Sequence, residues 1–174
     1  QLVLGLRSGI LLGDDDFFAC SVYNELLGLS PVSRLFVYVR EKKSLCYSCS
    51  SSYQGTFGSL LIACGLKKEN RAAAEEEILH QLDLIRAGDF SDDELTAAKK
   101  SLVNAYRQLE DSAGGLEGYW LGRMLMGAGN ALPIADSICR IEAVSRADLL
   151  RVAQNITVEV TYFLEGTLAG EEAD

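Results

Sequence analysis

Hydrophobic and polar residues recur with two different periods along the chain, and these periods predict strands and helices. QLVLGLRS and ITVEVTYFLEG, near the two ends, have the apolar and β-branched composition that strands prefer. SLCYSCSSSYQGTFGSLLIACGL contains two further runs of strand-forming residues on either side of Gln54-Gly55-Thr56, a glycine-containing turn. The sequence therefore predicts two terminal strands and one internal β-hairpin.

The segments between these strands repeat apolar residues every three or four positions, which predicts helices. Asp14, Asp15 and Asp16 lie where the first helix would begin. Ser91 to Glu94 has the spacing of a capping box, and Ser145 to Asp148 offers a cap with the same spacing to a later helix. The first three predicted helices cover FFACSVYNELLG, Val32 to Val39, and ENRAAAEEEILHQLDLIRAGD, which stops at Gly88. The fourth runs from Ser91 to about Asp111, and Gly114 and Gly115 separate it from a fifth that ends at a Gly127-Ala128-Gly129-Asn130 turn. A short helix from Pro133 and a last one from Ser145 to about Asn155 follow.

The order of these elements is β-α-α-β-β-α-α-α-α-α-β, with strands at both ends and helices between them. This order favours an α+β fold, in which an antiparallel sheet packs against helices, over a doubly wound fold. The sequence contains no repeat, linker or low-complexity segment. We therefore expect one domain over residues 1–170, followed by a polar tail over 171–174 that we expect to be disordered.

Composition excludes several classes of function. The 174 residues carry a formal net charge of -9, so the basic patch that nucleic-acid binding requires is not expected. No apolar run reaches the roughly 18 to 20 residues that cross a bilayer. Five cysteines without framework spacing indicate free thiols in a reducing compartment. Because the chain begins at Gln1 without a signal peptide, we expect that it was cut from a longer one.

Most of the reactive residues do not combine into a site. His80, the single histidine, is predicted to point away from the buried stripe of its helix. Cys46 and Cys49 have C-x-x-C spacing, but on a strand residues three apart face opposite sides, so we expect no metal or redox site there. Glu75 to Glu77 is most simply a solvated face. We therefore expect no metal and no cofactor in this chain.

Arg40 and Tyr47 are the remaining candidates. Arginine is a permanently charged donor, and a tyrosine hydroxyl is a donor that can be positioned accurately. A helix end followed by a turn into a strand could bring both side chains to one cleft, where they would suit a carbonyl that is becoming an oxyanion. In the alternative interpretation, Arg40 caps its helix and Tyr47 packs in the interior.

A family resemblance adds to this interpretation. SRLFVYVREKKSLCYSCSSSYQGTFGSLLIACG resembles the second-domain signature of the insulinase, pitrilysin and mitochondrial processing peptidase superfamily of zinc peptidases. LVLGLRSG, YNELLG, FSDDELTAAKKSLV and AVSRADLLRVAQNI resemble other segments of that domain in the same order, so the likeness covers nearly the whole chain. Where the family usually has Gly and Ala before the Tyr, this chain has Ser44 and Cys46.

The resemblance implies one half of a two-domain chamber. The other half carries an H-x-x-E-H zinc motif, and this half supplies an Arg and a Tyr, here Arg40 and Tyr47, that bind the substrate carbonyl. Zinc and catalysis are then expected only with that zinc-bearing homologous domain, in the same polypeptide or in a partner chain. The expected substrate is a peptide, and the expected compartment is a bacterial cytoplasm.

Two other functions stay open. The chain could be a non-catalytic partner or core subunit of the same superfamily, or a stand-alone binding module. A dimer is compatible with each of the family-based interpretations.

Overall fold

The structure, a computed structural model, describes residues 1–125 and 132–166 and confirms the predicted α+β class. The strands are β1 (Leu2–Arg7), β2 (Ser48–Gln54), β3 (Ser59–Gly65) and β4 (Thr157–Phe163). The α-helices are α1 (Phe17–Asn24), α2 (Arg71–Arg86), α3 (Asp92–Leu109), α4 (Ala113–Leu125), α5 (Ile134–Ala143) and α6 (Arg146–Asn155). Two segments, π1 (Glu25–Leu29) and π2 (Leu35–Lys42), are π-helical, and Lys68–Asn70 forms a 3₁₀ turn before α2.

The four strands form one antiparallel sheet in the order β2-β3-β1-β4. Side chains of a strand alternate between the two faces, and in β1 and β3 one alternate set is buried: Leu2, Leu4, Leu6, Leu60, Ile62 and Cys64. The opposite face carries side chains that are half-buried or exposed, among them Leu61, Val160 and Tyr162. One face of the sheet therefore belongs to the core, and the other is open.

The helices cover the buried face of the sheet. Strand β2 contacts α1, π1 and π2, while α1 also packs on α3, α5 and α6. The core between these layers includes the fully buried side chains of Tyr23, Leu27, Leu35, Ile78, Ile85 and Leu149. Ile78, Leu82 and Ile85 form the buried side of α2, as the apolar period predicts.

Gly28 permits the close approach of π1 to β2. A Cβ atom at Gly28 would lie 2.7 Å from the Ser51 backbone nitrogen and 2.8 Å from Leu35 Cδ1. Ser51 is itself buried and donates its hydroxyl hydrogen to Asn24 Oδ1 at 2.7 Å. The absent side chain at Gly28 thus sets the distance between the helical layer and β2.

Several predicted boundaries shift. The second helix runs from Leu35 to Lys42 and not from Val32 to Val39, so Arg40 lies inside its last turn. The hairpin turn occupies residues 55–58 and not 54–56, because the Phe57 amide hydrogen bonds to the Gln54 carbonyl and Gly58 continues the turn with a φ of +63°.

The predicted caps are largely correct. Ser91 and Glu94 form a reciprocal capping box, as do Ser145 and Asp148. Asp16 occupies the N-cap position of α1, but its carboxylate accepts hydrogen bonds from Arg151 and none from the helix backbone.

The remaining expectations have different outcomes. The break after α3 lies at residues 110–112, so Gly114 and Gly115 belong to α4. The predicted turn at Gly127 to Asn130 and the tail over 171–174 lie outside the described residues, and the single domain over 1–170 stays a prediction.

We predict that Gly28→Ala lowers the free energy of unfolding by about 1–3 kcal/mol, because the new methyl group must push π1 away from backbone atoms of β2. Gly118→Ala is the matched control, since a Cβ there would meet nothing within 4 Å and alanine favours the helix. Urea denaturation of both variants measures the difference. Equal stability of the two variants would contradict the close packing at Gly28.

Candidate functional site

An open cleft of about 640 Å³ lies between the C-terminal end of π2 and the segment that leads into α2. Arg40, Ser44, Cys46 and Tyr47 line one part of it, with Lys67 and Asn70 among its other lining residues. The structure therefore places both predicted site residues in the same cleft. Lys67 and Asn70 were not predicted, because nothing in the sequence indicates that the start of α2 returns to this loop.

Arg40 is held by local contacts and still reaches the cleft. Its guanidinium Cζ lies 4.6 Å from the centroid of the Phe36 ring, one turn earlier in π2. Its Nε lies 3.7 Å from Glu41 Oε1, and 41% of its side chain remains exposed. The guanidinium is thus oriented by an aromatic face while part of it stays accessible.

Tyr47 is 64% exposed, so the alternative in which it packs in the interior is wrong. Its backbone nitrogen donates a hydrogen bond to the Gly65 carbonyl at 2.8 Å, just before β2 begins. The backbone of Tyr47 is therefore attached to the sheet, while its side chain projects from the surface into the cleft.

Loop 43–47 joins π2, which carries Arg40, to β2, and hydrogen bonds to its backbone hold it in place. Leu45 donates its amide hydrogen to the Val39 carbonyl at 3.0 Å, and Asn70 Nδ2 donates to the Leu45 carbonyl at 3.0 Å. Ser44 has a φ of +50°, in the left-handed region that favours glycine. This is the position at which the resemblance leads us to expect glycine.

A polar chain, buried at Arg34, Gln81 and Glu77, anchors both ends of π2 to α2 and α3. At one end, Arg34 donates from Nε to Gln81 Oε1 at 2.8 Å and from Nη1 to Glu94 Oε1 at 3.0 Å. Gln81 Nε2 donates to Glu77 Oε1 at 2.7 Å, and Lys43, just after π2, donates to the other oxygen of Glu77. The helix that carries Arg40 is thus held by a continuous set of hydrogen bonds.

Glu77 corrects the expectation that Glu75 to Glu77 forms one solvated face. Only 4% of the Glu77 side chain is exposed. Burial alone would raise the pKa of this carboxyl, but the hydrogen bonds from Lys43 and Gln81 outweigh it and hold the pKa below its usual value. A buried carboxylate that accepts two hydrogen bonds is a structural element, and a helical period does not predict it.

The expectation that Cys46 and Cys49 face opposite sides is also wrong. Cys46 lies in loop 43–47, before β2 begins at Ser48, so strand alternation does not apply to it. Cys49 pairs with Cys64 of β3 across the hairpin, and the sulfurs of all three cysteines lie within 4.8 Å of one another. We call Cys46, Cys49 and Cys64 the thiol cluster.

Hydrogen bonds within the thiol cluster shift the pKa values of Cys46 and Cys49 in opposite directions. The hydrogen bond from Cys49 lowers the pKa of Cys46 to about 7, and Cys64 and the Arg40 guanidinium act in the same direction. The hydrogen bonds to Cys46 and Cys64, together with burial, raise the pKa of Cys49. Of these two thiols, Cys46, which lines the cleft, is therefore the one that deprotonates first.

His80 is exposed on α2, as predicted. Within the described ranges, 1–125 and 132–166, the thiol cluster is the single group of three or more His, Cys, Asp or Glu side chains with metal-binding spacing. In the same ranges, no helix is both long enough and apolar enough to cross a membrane.

Comparisons with known proteins agree with this architecture. The family described as "Peptidase M16 inactive domain" matches residues 1–102. A Bacillus subtilis (strain 168) protein named "Probable inactive metalloprotease YmfF" is 32% identical over 167 residues, which cover 96% of this chain and 39% of that protein. A conserved Enterococcus faecalis V583 protein of known structure has a TM-score of 0.89 and 32% identity, over 95% of this chain and 39% of that chain.

A protease from Helicobacter pylori has the same fold, with a TM-score of 0.78 at 21% identity, over 89% of this chain and 38% of that chain. The chain belongs to the peptidase M16 family, in the part of it that is described as the inactive domain. It spans about two-fifths of the length of the relatives with 32% identity.

We predict that Ser44→Gly raises the free energy of unfolding by about 0.5–1 kcal/mol, because glycine adopts the left-handed backbone at this position without strain. Ser50→Gly, at an exposed and extended position of β2, is the matched control and should lower stability by a similar amount. Thermal and urea unfolding of the two variants measures both effects. A loss of stability in Ser44→Gly would contradict a strained loop.

We predict that Glu77→Gln lowers the free energy of unfolding by about 1–3 kcal/mol near neutral pH, since Lys43 and Gln81 lose a charged acceptor. The folded-state pKa of Glu77 is depressed, so its stabilisation is present above the unfolded-state pKa, about 4.3, and is lost as the pH falls through the lower folded-state value. The difference between wild type and variant should therefore shrink below about pH 4.

Urea denaturation at a series of pH values measures this difference, with the exposed Glu76→Gln as control. A difference in the free energy of unfolding between wild type and Glu77→Gln that stays constant down to the lowest pH would contradict the role of the Glu77 carboxylate.

Proposed function

We propose that this chain is the half of a two-part peptidase chamber that lacks the catalytic zinc, and that Arg40 and Tyr47 bind the substrate carbonyl. The observation that carries the proposal is that these two side chains, seven residues apart in sequence, line one accessible cleft. Arg40 comes from a helix held by a buried polar chain, and Tyr47 from a backbone attached to the sheet. The backbone segments that carry both donors are therefore held in place before a substrate arrives.

The cleft suits a carbonyl oxygen that gains negative charge. Arg40 offers a permanently charged set of N–H donors, and the Tyr47 hydroxyl offers one further donor. Among the described residues that line the cleft, Lys67 adds a second cation, and Glu41 is the one carboxylate. A positioned donor of this kind stabilises a developing oxyanion by about 3 kcal/mol.

The proposed partner is a homologous half that carries the zinc site. An H-x-x-E-H motif needs two histidines, and this chain has one, His80. When bound in the other half, zinc supplies the activated water that attacks the scissile bond. The residues of this chain would hold the peptide carbonyl and steady the charge that forms on it.

The open face of the sheet supports such a partner. Leu61 on β3, and Val160 and Tyr162 on β4, lie on either side of β1 on that face and are 45%, 57% and 59% exposed. The relatives with 32% identity are more than twice as long as this chain, which leaves length for a second domain of similar size. We propose that the second half covers part of this face and closes the cleft around a peptide substrate.

A second candidate function is a non-catalytic member that binds peptides without cleaving them. The Bacillus subtilis relative, 32% identical, is named an inactive metalloprotease, and that name favours this candidate. The same cleft would then hold a peptide carbonyl while the other half lacked a working zinc site. Zinc content of the intact protein separates the two candidates.

The proposed compartment is the bacterial cytoplasm. Three sulfurs within 4.8 Å of one another would oxidise readily outside a reducing compartment.

We predict that Arg40→Ala and Tyr47→Phe each lower peptide turnover by the intact protein about 10²- to 10³-fold, because each removes a donor to the oxyanion. Zinc content should not change, since neither side chain belongs to the zinc half. Turnover of an internally quenched peptide and metal analysis of the same samples measure both quantities.

The matched control is Lys42→Ala, an exposed cation two residues from Arg40, and it should retain wild-type turnover. Unchanged turnover in Arg40→Ala and Tyr47→Phe would refute the proposed roles. An intact protein without zinc or turnover would select the non-catalytic candidate, for which peptide affinity replaces turnover as the quantity measured.

A further inference from the structure

The thiol cluster brings three sulfur atoms to one point of the hairpin. Cys49 and Cys64 are buried neighbours on β2 and β3, and Cys46 approaches from loop 43–47. The three sulfurs lie within 4.8 Å of one another. Packing alone accounts for two buried thiols on the core face of the sheet, but it does not require a half-buried loop cysteine to meet them.

The spacing of the sulfurs fits a shared metal ion. Three thiolates on one ion at metal–sulfur distances of about 2.3 Å lie about 4 Å from one another. The cluster would therefore need to contract by less than about 1 Å. A disulfide would require two of the sulfurs to approach to about 2 Å and would leave the third without a partner.

We propose that Cys46, Cys49 and Cys64 bind one thiophilic metal ion with a filled d shell, Cu(I) or Zn(II). Three sulfur donors without a carboxylate or imidazole select such ions against Mg²⁺ and Ca²⁺, which require oxygen ligands. Cu(I) accepts three thiolates as a complete set, whereas Zn(II) takes a fourth ligand, for which the cleft beside Cys46 offers access to water.

The surroundings of the cluster provide access and charge. Cys46 lines the same open cleft as Arg40 and Lys67, so an ion can enter from solvent. Three thiolates around Cu(I) carry a net charge of -2, and the positive charges of Arg40 and Lys67, reduced by the carboxylate of Glu41, offset part of it. The positive charge of the Arg40 guanidinium also favours the thiolate form of Cys46.

Metal binding would also fix the position of Tyr47, because Cys46 immediately precedes it. The inference does not rest on the proposed function, since it concerns thiol chemistry and is measured by metal uptake. It is also separate from the H-x-x-E-H zinc site, which the single His80 cannot form.

The test measures metal uptake by the reduced intact protein under anaerobic conditions. Cu(I) is titrated against a coloured Cu(I) chelator, and Zn(II) against a fluorescent zinc chelator in a parallel titration. We expect wild type to bind one equivalent more of at least one of these ions than Cys46→Ser, with sulfur-to-metal absorption in the ultraviolet. Uptake of Cu(I) or of Zn(II) identifies the ion.

Cys139→Ser is the matched control, because Cys139 is an exposed cysteine outside the cluster, and it should retain the additional equivalent. Cys49→Ser and Cys64→Ser should lose it. Cys46 is half-buried in a loop, so Cys46→Ser should keep the wild-type unfolding midpoint and remain informative if a buried variant fails to fold. Equal uptake of both metals by wild type and Cys46→Ser would overturn the inference.

Discussion

The buried hydrogen bonds around Arg34 are the interaction on which the site depends. Arg34 is 4% exposed and lies at the start of π2, where it binds α2 through Gln81 and α3 through Glu94. Through Gln81 and Glu77 the same chain reaches Lys43, at the other end of π2. A buried guanidinium without these partners would be strongly destabilising. The position of π2, and with it that of Arg40, is therefore determined by polar groups that must all be satisfied together.

The sheet is the second constraint, and the cleft forms where π2 and the sheet meet. β2 and β3 fix the backbone at Tyr47 through the Gly65 carbonyl, while π2 fixes Arg40. The short loop between them has one residue, Ser44, with a left-handed backbone. Helix π2 and the sheet, joined by this strained loop, therefore bring Arg40 and Tyr47 (the Arg–Tyr pair) to one cleft in the absence of a partner domain. We infer that the proposed second half completes the chamber and does not create this geometry.

Much of the fold follows from the sequence because its signals are local. Apolar periods and capping boxes at Ser91 and Ser145 predict the elements, and the resemblance around SRLFVYVREKK identifies the family that the comparisons confirm. Non-local contacts were not predictable in this way. Glu77 lies in an acidic run that a local pattern assigns to solvent, yet its partners Lys43 and Gln81 bury it.

The thiol cluster is a second non-local contact that local sequence patterns do not predict. A turn at 54–56 would place Cys49 opposite a different residue of the second strand, so the meeting of Cys49 and Cys64 depends on the observed four-residue turn at 55–58. For the Arg–Tyr pair, the most direct measurement is a crystal structure of the intact protein with a bound peptide. Our account predicts one peptide carbonyl oxygen within hydrogen-bonding distance of both the Arg40 guanidinium and the Tyr47 hydroxyl. A peptide bound elsewhere in the molecule, with neither side chain in contact, would contradict it.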